Sequence, residues 1–143
     1  MLNEPVTRGY VVSRGEGVPD RGPDVKASRR STGGSLTVMK LAIDGGPPRH
    51  THLREDESFY MLTGTLDVQC GDDRFEAGPG SFVFLPRNLP HVFRSVGGPA
   101  TALLIATPGG LDDYFAELHA AIDANAGPAE LKTIMDAYGI VPS

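Results

Sequence analysis

The stretch His50-Thr51-His52-Leu53-Arg54-Glu55-Asp56-Glu57-Ser58-Phe59-Tyr60-Met61-Leu62 carries the strongest chemical signal in the chain. Successive side chains of a strand point to opposite faces, so His50 and His52 are expected to look into one interior. A short turn through residues 53–56 brings the chain back, and Glu57 opens the next apolar run. A third imidazole follows at His91, just after Pro86-Arg87-Asn88-Leu89-Pro90. Proline donates no ladder hydrogen bond, so Pro86 ends a strand and Pro90 stiffens the turn that presents His91. Three imidazoles and a carboxylate are a full protein ligand set for one divalent transition metal. Imidazole suits Zn, Cu, Fe and Ni, and the carboxylate widens the choice toward Mn. Two other acids compete with Glu57. Asp56 has the opposite parity, and Glu55 sits in the turn, where it reads as a solvated charge. The fourth histidine, His119, falls in a helical stretch and reads as solvent-facing.

Outward from this stretch the pattern is one of short strands. Residues 35–43 alternate, with Val38, Lys40 and Ala42 on one face and Thr37, Met39, Leu41 and Ile43 on the other. Further strand candidates cover 50–53, 57–63, 65–70, 73–76, 81–86, 91–96 and 100–106, separated by glycines at 64, 71, 78, 80, 97 and 98. Many short strands with glycine turns and no intervening helix predict an all-β sandwich or barrel. Residues 1–35, with the loop Gly15–Pro23, read as an arm carrying one or two edge strands. At the other end the period changes. Leu111, Tyr114, Phe115, Leu118 and Ile122 recur at helical spacing, with Asp112 and Asp113 in the first turn, where the helix dipole favours negative charge. Gly127-Pro128 breaks this helix, and a second short one buries Leu131, Ile134, Met135 and Tyr138 before Gly139. Both apolar stripes are expected to dock on the outside of the barrel or on a partner subunit. The chain thus reads as one domain, 1–143, with an arm (1–35), a barrel (36–107) and a helical extension (108–143).

The two histidine segments resemble the motifs of the cupin superfamily. The first reads His50-x-His52, four residues, Glu57, six residues, Gly64, with Gly45 and Gly46 ahead of it. The second reads Gly80, five residues, Pro86-x-Asn88-x-x-His91, three residues, Ser95. Asn88 stands where the family has glycine, and Ser95 where it has asparagine. Asparagine best replaces glycine at positive φ, so the turn is expected to survive. The resemblance is greatest to small single-domain bacterial cupins of the quercetin 2,3-dioxygenase type, in which a segment such as Thr107-Pro108-Gly109-Gly110-Leu111 also leads into a helix. It implies a double-stranded β-helix, or jelly-roll barrel, with two short C-terminal helices, and a metal held by His50, His52, Glu57 and His91.

Strand parity adds a pocket. If Glu57 faces inward so do Phe59 and Met61, and if His91 does so does Phe93; Met39 and Leu41 lie on the apolar face of their strand. These five are the candidate substrate-binding residues, and Arg49, Arg54 and Arg94 are candidates for the mouth. A mostly apolar pocket around a polar metal suits an aromatic or enolisable small molecule. The resemblance implies dioxygenation, with Glu57 as catalytic base as well as ligand. The alternatives are metal-dependent isomerisation, decarboxylation or lyase chemistry without O₂, or non-catalytic ligand binding.

Composition narrows the partners. Net charge is −5 and the thirteen Lys and Arg are scattered, which disfavours nucleic acid. No run reaches the roughly 18 apolar residues that cross a membrane. Met1-Leu2-Asn3-Glu4-Pro5 does not read as a signal peptide, and the lone Cys70 fits a reducing cytoplasm, as a small buried strand residue. A homodimer is expected, because small jelly rolls carry sheet edges that pairing covers.

Overall fold

The computed structural model describes residues 5–19 and 21–143. Residues 1–4, where a signal peptide was not expected, and Asp20 of the arm's loop lie outside the described residues. In chain order the elements are β1 (Val25–Ala27), β2 (Thr37–Ile43), β3 (His50–His52), β4 (Asp56–Cys70), β5 (Asp73–Ala77), β6 (Phe82–Leu85), β7 (His91–Thr107), α1 (Leu111–Asp123), α2 (Pro128–Ala137) and β8 (Ile140–Pro142). The eight strands form one antiparallel sheet, the all-β architecture with two terminal helices that the pattern predicts.

Two long strands organise it. β4 and β7 pair from Asp56↔Thr107 to Cys70↔His91. The later part of β7 also pairs with β2, from Thr37↔Ala106 to Ile43↔Ala100, while its first residue pairs with β3 as His50↔His91. The expected breaks at Gly64 and at Gly97-Gly98 are therefore bends within continuous strands. At Gly64 the register shifts and φ is +75°, and a Cβ would stand 2.7 Å from the Ala100 backbone. Glycine lets the ladder bulge and turn there without ending.

The inward face of β2 is the expected one, with Thr37, Met39 and Ile43 buried and Leu41 half-buried. Phe59, Met61, Leu66, Val68, Leu85 and Leu104 fill the centre of the sheet's inner side. In the arm, β1 is an edge strand on β2, and no strand forms around Tyr10-Val11-Val12. The strand β8 has no counterpart in the sequence reading. It pairs with β3 as His50↔Pro142, Thr51↔Val141 and His52↔Ile140, so the histidine strand is held on both sides.

The arm is fastened to α1 by ion pairs. Asp112 is buried and accepts hydrogen bonds from Thr37 Oγ1 (2.6 Å) and the Arg29 backbone N–H (3.0 Å). Asp113 accepts from Arg29 Nε at 2.7 Å and from the Arg21 guanidinium. Burial raises the Asp113 pKa, but the two guanidinium groups outweigh it and hold the carboxyl below the usual range. Asp113→Asn should therefore cost about 1–3 kcal/mol at neutral pH, the worth of charge-assisted hydrogen bonds. A carboxyl with a depressed folded pKa contributes stability above its unfolded pKa of about 3.9 and loses it as pH falls through the folded value. Denaturant titrations of the two proteins should differ at pH 7 and converge in acid; an equal gap at both pH values would refute the linkage.

Candidate metal centre and its cavity

The sheet brings the three histidines together because β3 and the start of β7 are neighbours. His50, His52 and His91 each offer a ring nitrogen, and these lie within 4.8 Å of one another. The rings of His50 and His91 meet edge to face at 4.7 Å, and those of His52 and His91 stack at 5.4 Å. His52 and His91 are buried. Glu57, buried at the start of β4, reaches the same cluster: its Oε2 is 3.5 Å from His52 Nε2 and its Oε1 is 3.6 Å from His91 Nε2. His50 Nε2 is 3.2 Å from His52 Nε2. All four residues named from the sequence thus converge.

Their surroundings suit a cation. Burial lowers the pKa of His50, and the neighbouring imidazoles His52 and His91 add to the effect, which favours the neutral ring with a free nitrogen lone pair. Burial also pushes the Glu57 pKa up, but His91, His52 and His50 outweigh it and hold the carboxyl below the ordinary range. For His52 burial opposes protonation, yet Glu55 and Glu57 outweigh it and raise its pKa. Among the described residues, His91 Nδ1 and Nε2, His52 Nδ1 and Glu55 Oε1 are buried without a hydrogen-bond partner. Buried polar atoms are normally satisfied. A divalent metal on the imidazole nitrogens and Glu57 answers the unpartnered His91 nitrogen facing that carboxylate, so the donor set fits the group.

The turn before His91 behaves as its sequence predicts. Asn88 has φ +69°, and its backbone N–H donates to the His52 carbonyl at 2.8 Å, tying the turn to β3. Asn88→Gly should be tolerated, and Asn88→Val should cost about 1–2 kcal/mol, the left-handed penalty for a side chain with a Cβ. Thermal unfolding of both variants checks this, and full stability of the valine form would refute it. Ser95, the other departure from the family pattern, fixes the loop ahead of β3. Its Oγ accepts the Gly45 N–H at 2.9 Å, and its own N–H donates to the Gly45 carbonyl at 2.8 Å. Gly46 next to it has no room for a side chain, since a Cβ would fall 1.8 Å from the Phe93 carbonyl oxygen.

His50, His52 and Glu57 form part of the wall of a cavity of about 570 Å³ between the inner face of the sheet and the two helices. Of the five residues named for the pocket, Leu41 and Phe93 line this cavity. Met39, Phe59 and Met61 do not. They face inward but lie deeper, and Phe59 packs edge-on against Phe93 at 4.8 Å. A small barrel fills most of its interior with side chains, and these three are that filling. The opposite wall is a correction of a different kind. Tyr114, Phe115 and Leu118 of α1 and Leu131 and Met135 of α2 line the cavity, so the helical stripes close the pocket instead of docking outside the barrel. Ile122, at the end of the α1 stripe, is exposed, as is His119. Of the three arginines expected at the mouth only Arg49 borders the cavity. Arg54 donates to the Ala137 carbonyl at 2.9 Å, and Arg94 lies on an outward position paired with Asp67. Glu55, expected to be solvated, is 4% exposed.

Comparison with known proteins bears on the domain and the fold. A cupin-domain model matches residues 37–106, from β2 through most of β7. Quercetin 2,3-dioxygenase of Bacillus subtilis (strain 168) is 25% identical over 127 residues, covering 85% of this chain and 38% of that protein. The chain thus spans well under half the length of that relative. Among solved structures, KdgF from Halomonas sp. superposes with a TM-score of 0.54 at 19% identity, over 62% of this chain and 80% of that one. TT1209 from Thermus thermophilus is 27% identical, with a TM-score of 0.48 over 52% of this chain and 74% of that one. Residues 37–106 thus match the cupin domain, and the chain has the fold of such proteins.

Proposed function

We propose that this cupin is a metal-dependent dioxygenase acting on a small, apolar, enolisable molecule such as an aromatic enol or phenol. The observation that carries the reading is the convergence of three histidines and Glu57, of which His50, His52 and Glu57 stand on the wall of a cavity whose other walls are mainly apolar. Likeness to a quercetin 2,3-dioxygenase supports it. His50, His52, His91 and Glu57 would hold one divalent transition metal (Fe, Ni, Mn, Cu or Zn), which when bound supplies Lewis acidity and, for a redox-active ion, reactivity toward O₂. The protein's own groups do the rest. Glu57, whose carboxyl the three histidines hold below the ordinary range, is the group that would take the acidic proton of the substrate. Phe93, Phe115 and Leu118 exclude water and hold the apolar body, and the volume suits a ligand of drug-like size.

The test is oxygen uptake by metal-loaded protein supplied with a flavonol. Metal-dependent O₂ consumption is the expected result. Turnover without O₂ would instead make the protein a Lewis-acid isomerase, decarboxylase or lyase, and tight binding with neither would make it a ligand-binding cupin.

A second copy of the chain is the expected macromolecular partner, in the cytoplasm. Among the described residues β6 pairs only with β4 and exposes Phe82 and Phe84 beside Tyr60, and the arm exposes Tyr10 and Val11. Joining such edges about a two-fold axis would cover them. Light scattering should give twice the 15.2 kDa chain mass, and a monomer at micromolar concentration would refute this. Among the described residues no helix is long and apolar enough to cross a membrane.

A further inference from the structure

Two of the three histidines have an oxygen acceptor near the ring nitrogen that faces away from the cluster. For His50 this is the Pro48 carbonyl, 2.8 Å from Nδ1, which fixes Nδ1 as the protonated nitrogen and leaves Nε2 as donor. For His52 the corresponding group is the Glu55 carboxylate, whose Oε1 lies 3.6 Å from Nδ1. That is too long for a formed hydrogen bond. Yet both atoms are buried, neither has another partner among the described residues, and the two side chains are at most 5% exposed. A buried carboxylate oxygen and a buried imidazole nitrogen, each unpartnered and each aimed at the other, are poised for a single N–H···O contact. The other oxygen, Oε2, lies beside the start of α1, where a Cβ on Gly110 would stand 3.8 Å from it. No side chain caps that helix N-terminus, and its dipole attracts negative charge.

We propose that Glu55 is a positioning residue of the metal centre: its carboxylate accepts the His52 Nδ1 proton, so that Nε2 is the nitrogen presented to the metal. The inference rests on the metal reading of the site and goes further by assigning Glu55 a role apart from the ligands. Outer partners of this kind set the tautomer and ring orientation of a metal-bound histidine, and losing one lowers metal affinity by about 10–100-fold. Glu55 also brings the centre close to the helical wall, since its Oε2 lies beside Gly110, the N-cap of α1.

The experiment is titration of metal-free protein with Co²⁺, followed by the visible absorption of the bound ion, for the natural chain and for Glu55→Gln and Glu55→Asp. Glu55→Gln keeps the shape and removes the charge. It should bind Co²⁺ about 10–100-fold more weakly and with an altered spectrum, and Glu55→Asp should recover part of the affinity. Unchanged affinity and spectrum in Glu55→Gln, with only thermal stability reduced, would overturn the proposal and leave Glu55 a structural residue. Absence of Co²⁺ binding by the natural chain would instead refute the metal reading itself. Where the variants fail to fold, histidine ¹⁵N spectra of the natural chain with Zn²⁺ decide. A slowly exchanging proton on His52 Nδ1 is expected, and a metal-bound Nδ1 would refute the assignment.

Discussion

Protein carrying His52→Ala will purify without its transition metal, while the natural chain, prepared without chelator, retains one ion. His52 Nε2 stands 3.2 Å from His50 Nε2 and 3.5 Å from Glu57, so its removal opens the centre of the donor set. The loss should exceed the roughly 10–100-fold typical of outer partners, because a ligand itself is gone. The fold should persist, since β3 is held through its backbone by β7 and β8. Elemental analysis of both proteins is the measurement, and equal metal contents would remove His52 from the ligand set.

Phe59→Ala should do the reverse, costing stability and sparing the metal. Phe59 is fully buried against Phe93, and truncating such a ring costs about 3–5 kcal/mol through lost burial and the cavity left behind. Denaturant unfolding should show the loss with metal content unchanged. A cost below about 1 kcal/mol, with altered ligand binding, would return Phe59 to the cavity wall, since small effects are typical of positions outside the packed core.

These two residues also show how far the sequence could be read. His50, His52 and His91 were legible because parity on short strands and the rigid turn before His91 leave few directions for the rings. Parity likewise turned Phe59 and Met61 inward, but it carries no information about depth, and depth separates a pocket wall from packed core. The stripes on α1 and α2 were visible as periodic apolar residues. Periodicity says that a face is covered, not by what, and here the far side is a cavity. Glu55 was missed because a charged residue in a four-residue turn reads as solvated. Only the fold shows it buried, with its carboxylate beside Gly110 ahead of α1. The long strands β4 and β7 were divided at their glycines because a bulge and a turn use the same residue. The strand β8 left almost no signal: a three-residue strand after Gly139 is recognisable only once β3 is there to receive it.

The pairing of β3 with β8 has a kinetic consequence. A three-residue strand is too short to order itself, and one of its two neighbours, residues 140–142, is made long after it. At about 5–20 residues per second, several seconds of synthesis separate the two segments. Through that interval the histidine pair has an open edge, and contacts this distant in sequence are among the slowest to form. The geometry of the histidine pair thus waits on a segment made long after it, and a metal met earlier would find a nascent protein that cannot yet hold it in that arrangement.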